Sequence, residues 1–254
     1  MKTKTILFFA FYVISILVVH CQSEDHSQEY RKFRLSVNAG IDYGLGSTNT
    51  ILSTSLIGDF TLPYASKGLG TGFEGAYFFT KNCGIGIKYH FYTADEKNGI
   101  VMPDNIYHEL TFKEKTHFIG PTIHAKCFLF DTKWEASVNI GVMLLHNNLS
   151  EITSLFIHHS PSNYQDLSAG EPTFSKRSGF NDFNGTAVGF TASTSISYRI
   201  TPILGVGLRA DGFFASLSNM ETESIDYIDG ISRFNDISRR IDRIGVSAEV
   251  SVNF

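Results

Sequence analysis

The chain has 254 residues, 43% of them hydrophobic and 18% charged, and its 21 lysines and arginines against 25 aspartates and glutamates leave a net charge of −4. That excludes a disordered chain, because 22 phenylalanines and 11 tyrosines supply ample apolar surface, and it excludes a nucleic-acid binder, which needs a basic face to track phosphates. Twenty-two glycines, six prolines and 13% aromatics fit an all-β chain with tight connections.

Lys2 and Lys4 precede an uncharged apolar run from Ile6 to Val19, the layout of a signal peptide over residues 1–23. The run is shorter than the roughly 20 residues a membrane-spanning helix needs. Cys21 follows His20 rather than the small residue that lipid attachment wants, so plain cleavage is the expected processing. Residues 24–32 read as a short N-terminal segment on the periplasmic side, and 33–254 as one domain.

From Phe33 onward the sequence alternates with period two. Phe33, Leu35, Val37, Ala39, Ile41 and Tyr43 are separated by Arg34, Ser36, Asn38, Gly40 and Asp42. The same pattern runs from Leu69 to Phe79, Cys83 to Phe91, Ile119 to Leu129, Trp134 to Val142, Val188 to Tyr198, Leu204 to Asp211 and Ile244 to Phe254. Eight strands result. Thr80-Lys81-Asn82, Asp131-Thr132 and Ile200-Thr201-Pro202 make three short turns, while the other four links run from about 20 to about 40 residues, well beyond ordinary connections. Short turns at one end and long loops at the other describe an antiparallel up-and-down barrel.

Composition decides which face is inside. Eleven of the 22 glycines fall on the polar face with Ser, Thr and Asn, where a water-facing surface would carry Lys and Glu. Small residues suit the crowded interior of an eight-stranded barrel. The apolar face then meets lipid, and the eleven residues from Ile244 to Phe254 match the roughly 9 to 11 that a tilted strand needs. Closure follows, because an open edge leaves backbone groups unpaired in lipid. Aromatics near strand ends, among them Phe33, Tyr43, Trp134, Tyr198 and Phe254, fit interfacial girdles.

On these eight strands, the loop asymmetry and the final strand Val246-Ser-Ala-Glu-Val-Ser-Val-Asn-Phe254, the chain resembles the porin-like outer-membrane β-barrels, the small OmpA/OmpX-like group of Gram-negative bacteria. The resemblance implies an eight-stranded transmembrane barrel with short periplasmic turns and long extracellular loops, located in the outer membrane among its lipids and lipopolysaccharide. It also implies that Phe254 is read by the barrel-assembly machinery as an insertion signal. It implies no activity, because one scaffold serves several roles.

The inner face carries Arg34, Lys88, Lys126, Arg199 and Arg209 against Asp42, Glu74, Glu135, Asp211 and Glu249, five of each sign. Such balance favours mutual neutralisation and a plugged lumen. A selective pore would carry an excess of one sign. The first short turn puts Glu74 opposite Lys88, and the second makes Lys126 and Glu135 diagonal neighbours. A structural or loop-mediated binding role is therefore expected, with a narrow diffusion pore as the alternative.

An enzyme acting on lipid A ranks third. The resembling deacylases use a His-x-Ser pair, and the match here is His158-His159-Ser160, in the longest loop and followed by Pro161 rather than Asn. No catalytic residue, cofactor or metal ligand is assigned. His90 and His124 face the lumen as hydrogen-bonded fillers. Cys83 and Cys127 read as two small hydrophobes, with a cross-strand disulfide as the alternative. Specificity is left to the loops. The last contains Glu221, Glu223, Asp226, Tyr227, Asp229, Phe234 and Asp236, and the third, about 147–184, contains Leu155, Phe156, Ile157, Tyr164, Phe174 and Phe180. Either could contact cations or a partner, although self-packed, solvated loops are the simpler expectation.

Overall fold

A computed structural model describes residues 31–45, 51–54, 58–61, 66–102, 106–129, 133–158, 173–179, 183–226 and 230–254. The expected signal peptide and residues 24–30 lie outside them. In chain order the strands are β1 (Phe33–Gly44), β2 (Ile51–Thr54), β3 (Gly58–Thr61), β4 (Lys67–Phe78), β5 (Cys83–Met102), β6 (Ile106–Leu129), β7 (Trp134–His158), β8 (Thr173–Gly179), β9 (Phe183–Arg199), β10 (Leu204–Asp226) and β11 (Gly230–Asn253). No helix occurs among the described residues.

Eight of these strands form the barrel. Each pairs antiparallel with its neighbours in the order β1, β4, β5, β6, β7, β9, β10, β11, and β11 returns to β1. The seam is tied to the last residue: Phe33 N donates to Phe254 O at 2.8 Å, and Phe254 N donates to Phe33 O at 2.9 Å. Closure removes every edge, so the alternating sequence places one face wholly inside and the other wholly outside.

The inside is the polar face. On β1, Arg34, Ser36, Asn38 and Asp42 are buried, while Phe33, Leu35, Val37, Ile41 and Tyr43 are exposed. The rest of the barrel repeats this inversion, with Val188 and Leu208 each 67% exposed and Lys88 and Glu249 each 1% exposed. A water-soluble protein does not bury its charges and expose a continuous belt of Leu, Ile, Val and Phe. A hydrocarbon surround makes the arrangement favourable, because the belt then has an apolar solvent and every strand's backbone is satisfied within the sheet.

The strands are longer than the alternation indicates, and this corrects the loop lengths. β5 and β6 stay paired out to Met102 opposite Ile106, and β10 and β11 out to Asp226 opposite Gly230, so two of the expected long loops are mostly hairpin. Asp95-Glu96-Lys97-Asn98 extends the strand through a polar run with no apolar alternation to mark it. Above Leu149, β7 exchanges its neighbour β9 for the short β8, and β2 with β3 forms a separate ribbon in the first loop.

The glycines of the inner face have a steric cause that Gly120 illustrates. A Cβ there would meet the carbonyl oxygen of Val142 and lie 2.9 Å from Met143 Cα on the neighbouring strand. Backbone cannot swing aside as a side-chain end can. Gly120→Ala is expected to cost about 1 to 3 kcal/mol as overpacking, measured by urea unfolding in lipid vesicles. The same change at Gly75, whose nearest neighbour would be a leucine methyl of Leu35 at 3.4 Å, should be close to neutral.

Candidate functional site

The lumen is built in layers. In the lower part, charged side chains from β1, β4, β5, β7, β9, β10 and β11 meet inside the barrel. Arg34 Nη1 on β1 reaches Glu135 Oε1 on β7 at 2.9 Å, and its Nη2 bonds Glu249 on β11. Arg199 Nη2 takes the other oxygen of Glu135 at 2.9 Å. Arg209 on β10 is the hub: Nη2 reaches Glu74 Oε2 at 2.6 Å, Nε reaches Asp211 Oδ1 at 2.9 Å and Nη1 reaches Glu249 Oε2 at 3.0 Å. Lys88 Nζ closes the chain on Asp211 Oδ1 at 2.6 Å and also donates to Ser193 Oγ and Thr191 Oγ1.

Four cations, Arg34, Arg199, Arg209 and Lys88, thus alternate with four carboxylates, Glu135, Glu249, Glu74 and Asp211. A charge buried in such a position is tolerated only when its partner and the remaining lone pairs are also satisfied. That condition is met at Glu74, which accepts from Asn139 Nδ2 at 2.8 Å as well as from Arg209. Asp211 likewise accepts from Ser193 Oγ at 2.6 Å.

The remaining two of the ten charged positions also meet rings. Asp42 accepts from His90 Nε2 at 2.6 Å, and the His90 ring stacks on Phe213 with centroids 4.4 Å apart. Lys126 places its ammonium 3.8 Å from the centre of the Phe78 ring. The expected side-by-side placements are found, and cross-lumen ion pairs are added to them. Glu74 and Lys88 face each other across β4 and β5, and Lys126 lies diagonal to Glu135, while Glu74, Lys88 and Glu135 each also bond a side chain on the opposite wall. In so narrow a barrel the opposite wall lies within one long side chain's reach, and an arginine fork gains more there than a single cross-strand contact offers. His124 has its Nδ1 3.5 Å from Glu74 Oε1, so both lumenal histidines lie beside a carboxylate, which the sequence reading did not anticipate.

Above this layer the lumen turns apolar. Tyr92, Phe112, Phe118, Met143, Leu145, Leu149, Phe183, Phe213, Leu217 and Ile241 pack inside as one buried cluster. A second charged group is set into it: Glu114 on β6 accepts from Arg239 Nη2 at 3.0 Å and from Arg243 Nη2 at 2.5 Å, and Asn147 Nδ2 donates to Glu114 and Thr116. Sequence reasoning missed all of these. The available signal was parity: on β6 the even positions inward of Thr122 continue as Phe118, Thr116, Glu114 and Phe112, and on β11 the odd positions continue back from Gly245 as Arg243, Ile241 and Arg239.

Outside, the apolar belt ends abruptly on β6 and β7. Ile119 and Leu144 are its last members, and His117, Lys115 and Lys113 follow on β6, with His146 and Asn148 on β7. Asn148 donates to Asn184 at 2.6 Å, and Lys113 lies 3.8 Å from Asp95. Cys83 and Cys127 do not form a disulfide. Cys83 faces Ala125, so the two cysteines are not register partners. His158 ends β7, while His159, Ser160 and Pro161 lie outside the described residues. Of the loop residues singled out, Glu221, Glu223 and Asp226 fall on β10, Phe234 and Asp236 on β11, Leu155, Phe156 and Ile157 on β7 and Phe174 on β8. Tyr164, Phe180, Tyr227 and Asp229 lie outside the described residues.

A closed eight-stranded barrel with an apolar exterior and a charge-filled lumen has the fold of the small outer-membrane β-barrels. Solved structures agree on the fold. OprG, an outer membrane protein of Pseudomonas aeruginosa, is similar with a TM-score of 0.53 at 9% identity, over 89% of this chain and 97% of that one. A major outer membrane protein from Thermus thermophilus gives a TM-score of 0.50 at 10% identity, over 89% of this chain and 100% of that one. No protein-family model and no curated protein matches the sequence.

Proposed function

We propose that the protein is a plugged barrel of the Gram-negative outer membrane, structural in itself and acting through the strands and loops that rise above the bilayer. The observation that carries this reading is the buried network of four cations and four carboxylates, three of whose ion pairs, Arg34–Glu135, Lys88–Asp211 and Arg209–Glu74, cross the lumen from wall to wall. A pore needs a hydrated lining with room for ions. Here Arg34, Arg209, Glu74, Asp211 and Glu249 are each under 5% exposed, which leaves no water-wide path beside them. The apolar layer over Phe118, Phe213 and Leu145 fills the lumen a second time above them.

Outer-membrane lipids and lipopolysaccharide cover the belt, with Lys113, Lys115 and the exposed Arg240 at the outer rim suited to headgroup phosphates. Phe254, hydrogen-bonded into the seam, serves the assembly machinery as the insertion signal. The extended β5–β6, β7–β8 and β10–β11 hairpins present a large surface for a partner outside the cell.

Planar-bilayer recording tests the plug. The wild type should add no steady, salt-dependent conductance above the bare membrane. Regular steps that scale with salt concentration would replace this reading with the narrow pore.

A further inference from the structure

His117 on β6 and His146 on β7 are direct partners across the antiparallel register. Their chain neighbours Thr116, Phe118, Leu145 and Asn147 are buried in the lumen, so both imidazoles project from the outer face. The ring centroids are 6.4 Å apart, with 35° between the planes. Ile119 and Leu144, one step toward the membrane centre, belong to the apolar belt, which puts the pair at the belt's extracellular rim, in reach of water.

A third side chain acts on the pair. Tyr89 Oη lies 2.8 Å from His117 Nδ1, and the His117 ring is also packed against Phe91 at 4.8 Å between centroids. When Nδ1 carries the ring proton it donates to the tyrosine oxygen, and Nε2 keeps its lone pair. Metal-binding histidines are oriented in this way, by a hydrogen bond from the ring nitrogen that does not ligate.

We propose that His117 and His146 form an open, two-histidine site for a borderline divalent transition metal, Zn2+, Ni2+ or Cu2+. Imidazole nitrogen selects these ions over Ca2+ and Mg2+, which want carboxylate and carbonyl oxygen. The outward neighbours of the pair, namely Tyr89, Phe91, Lys115, Asn148 and Thr186, include no carboxylate. A metal between the rings would take one nitrogen from each at about 2.0 to 2.1 Å. Water fills the remaining positions, so the ion is exchangeable and open to an external ligand. The ammonium of Lys115, one step away on the same face, works against the cation and holds the affinity below that of a closed four-ligand site.

The untagged protein, extracted from membranes in detergent, is titrated with ZnCl2 and NiCl2 in a non-coordinating buffer by calorimetry. Saturable one-to-one binding is expected, weakened at least tenfold by His146→Ala and by His117→Ala, and by about tenfold in Tyr89→Phe as an orienting partner is lost. Cu2+ resonance spectra should show two nitrogen ligands in the wild type and one in His146→Gln, a variant that keeps the size and polarity of the position. Each variant is checked for the heat-dependent gel shift of an intact barrel. The proposal is overturned if the wild type shows no saturable binding, or if binding is unchanged in His146→Ala and His146→Gln.

Discussion

Arg209→Ala lowers the stability of the refolded barrel by about 3 to 5 kcal/mol, the usual penalty for removing one member of a buried ionic network. Arg209 touches Glu74, Asp211 and Glu249 at 2.6, 2.9 and 3.0 Å through three different nitrogens. Its loss leaves the chain of charges with three cations against four carboxylates. Each carboxylate retains some partner: Lys88 and Ser193 at Asp211, Arg34 at Glu249, Asn139 and His124 at Glu74. The excess negative charge is what destabilises the variant. Arg209→Lys keeps the charge but brings one nitrogen where three were, so it should fall between wild type and alanine. Urea unfolding in lipid vesicles, read by the mobility of unboiled samples, gives the numbers. A double change, Arg209→Met with Glu74→Gln, removes one charge of each sign and should recover part of the loss. An Arg209→Ala barrel within about 1 kcal/mol of wild type would mean that water reaches these groups, and would remove the main support for a sealed lumen.

What the sequence made legible was a matter of parity. Alternation of Arg34-Leu35-Ser36-Val37 type is produced by a strand with two different solvents on its faces, and wherever that holds the strand, its register at the short turns and its inner face could be read. It fails where the two solvents become alike. On β7 the run Met143-Leu144-Leu145 shows no alternation because Leu144 meets lipid while Met143 and Leu145 meet the apolar upper lumen. Phe118-Ile119 on β6 breaks the pattern for the same reason, and Asp95-Glu96-Lys97-Asn98 on β5 breaks it because the run is polar throughout. The upper cluster and its Glu114–Arg239–Arg243 group were therefore invisible to a search for alternation, although strand parity carried past its end would have found them. Ionic partners were illegible for a different cause. Register fixes which residues are adjacent along the wall, whereas partners across the lumen depend on the barrel's diameter and on which side chains are long enough to cross it.

Val37→Arg is the sharpest test of the apolar belt. Val37 is 53% exposed on the outer face and lies between Phe73 on β4 and Val250 on β11. Along β1 it is the third apolar residue from Phe33 at one end, with Ala39, Ile41 and Tyr43 beyond it, which sets it near the middle of the belt. If water met this face, an exposed valine exchanged for arginine would change stability by no more than about 0.5 kcal/mol. In a bilayer the guanidinium must be taken into hydrocarbon or must distort the lipid to escape it, at about 2 to 4 kcal/mol near the midplane and about 0 to 1 kcal/mol near the interfaces. Val37→Arg should therefore be strongly destabilised in vesicles while Tyr43→Arg, at the rim of the same strand, is not. The contrast between the two positions carries the argument, since a general intolerance of charge on β1 would lower both. Equal and small effects would place this outer face in water and remove the case for a bilayer around the barrel. A loss confined to Val37 fixes the depth of the membrane on the strand, and with it the height of the outer rim where His117 and His146 meet the water.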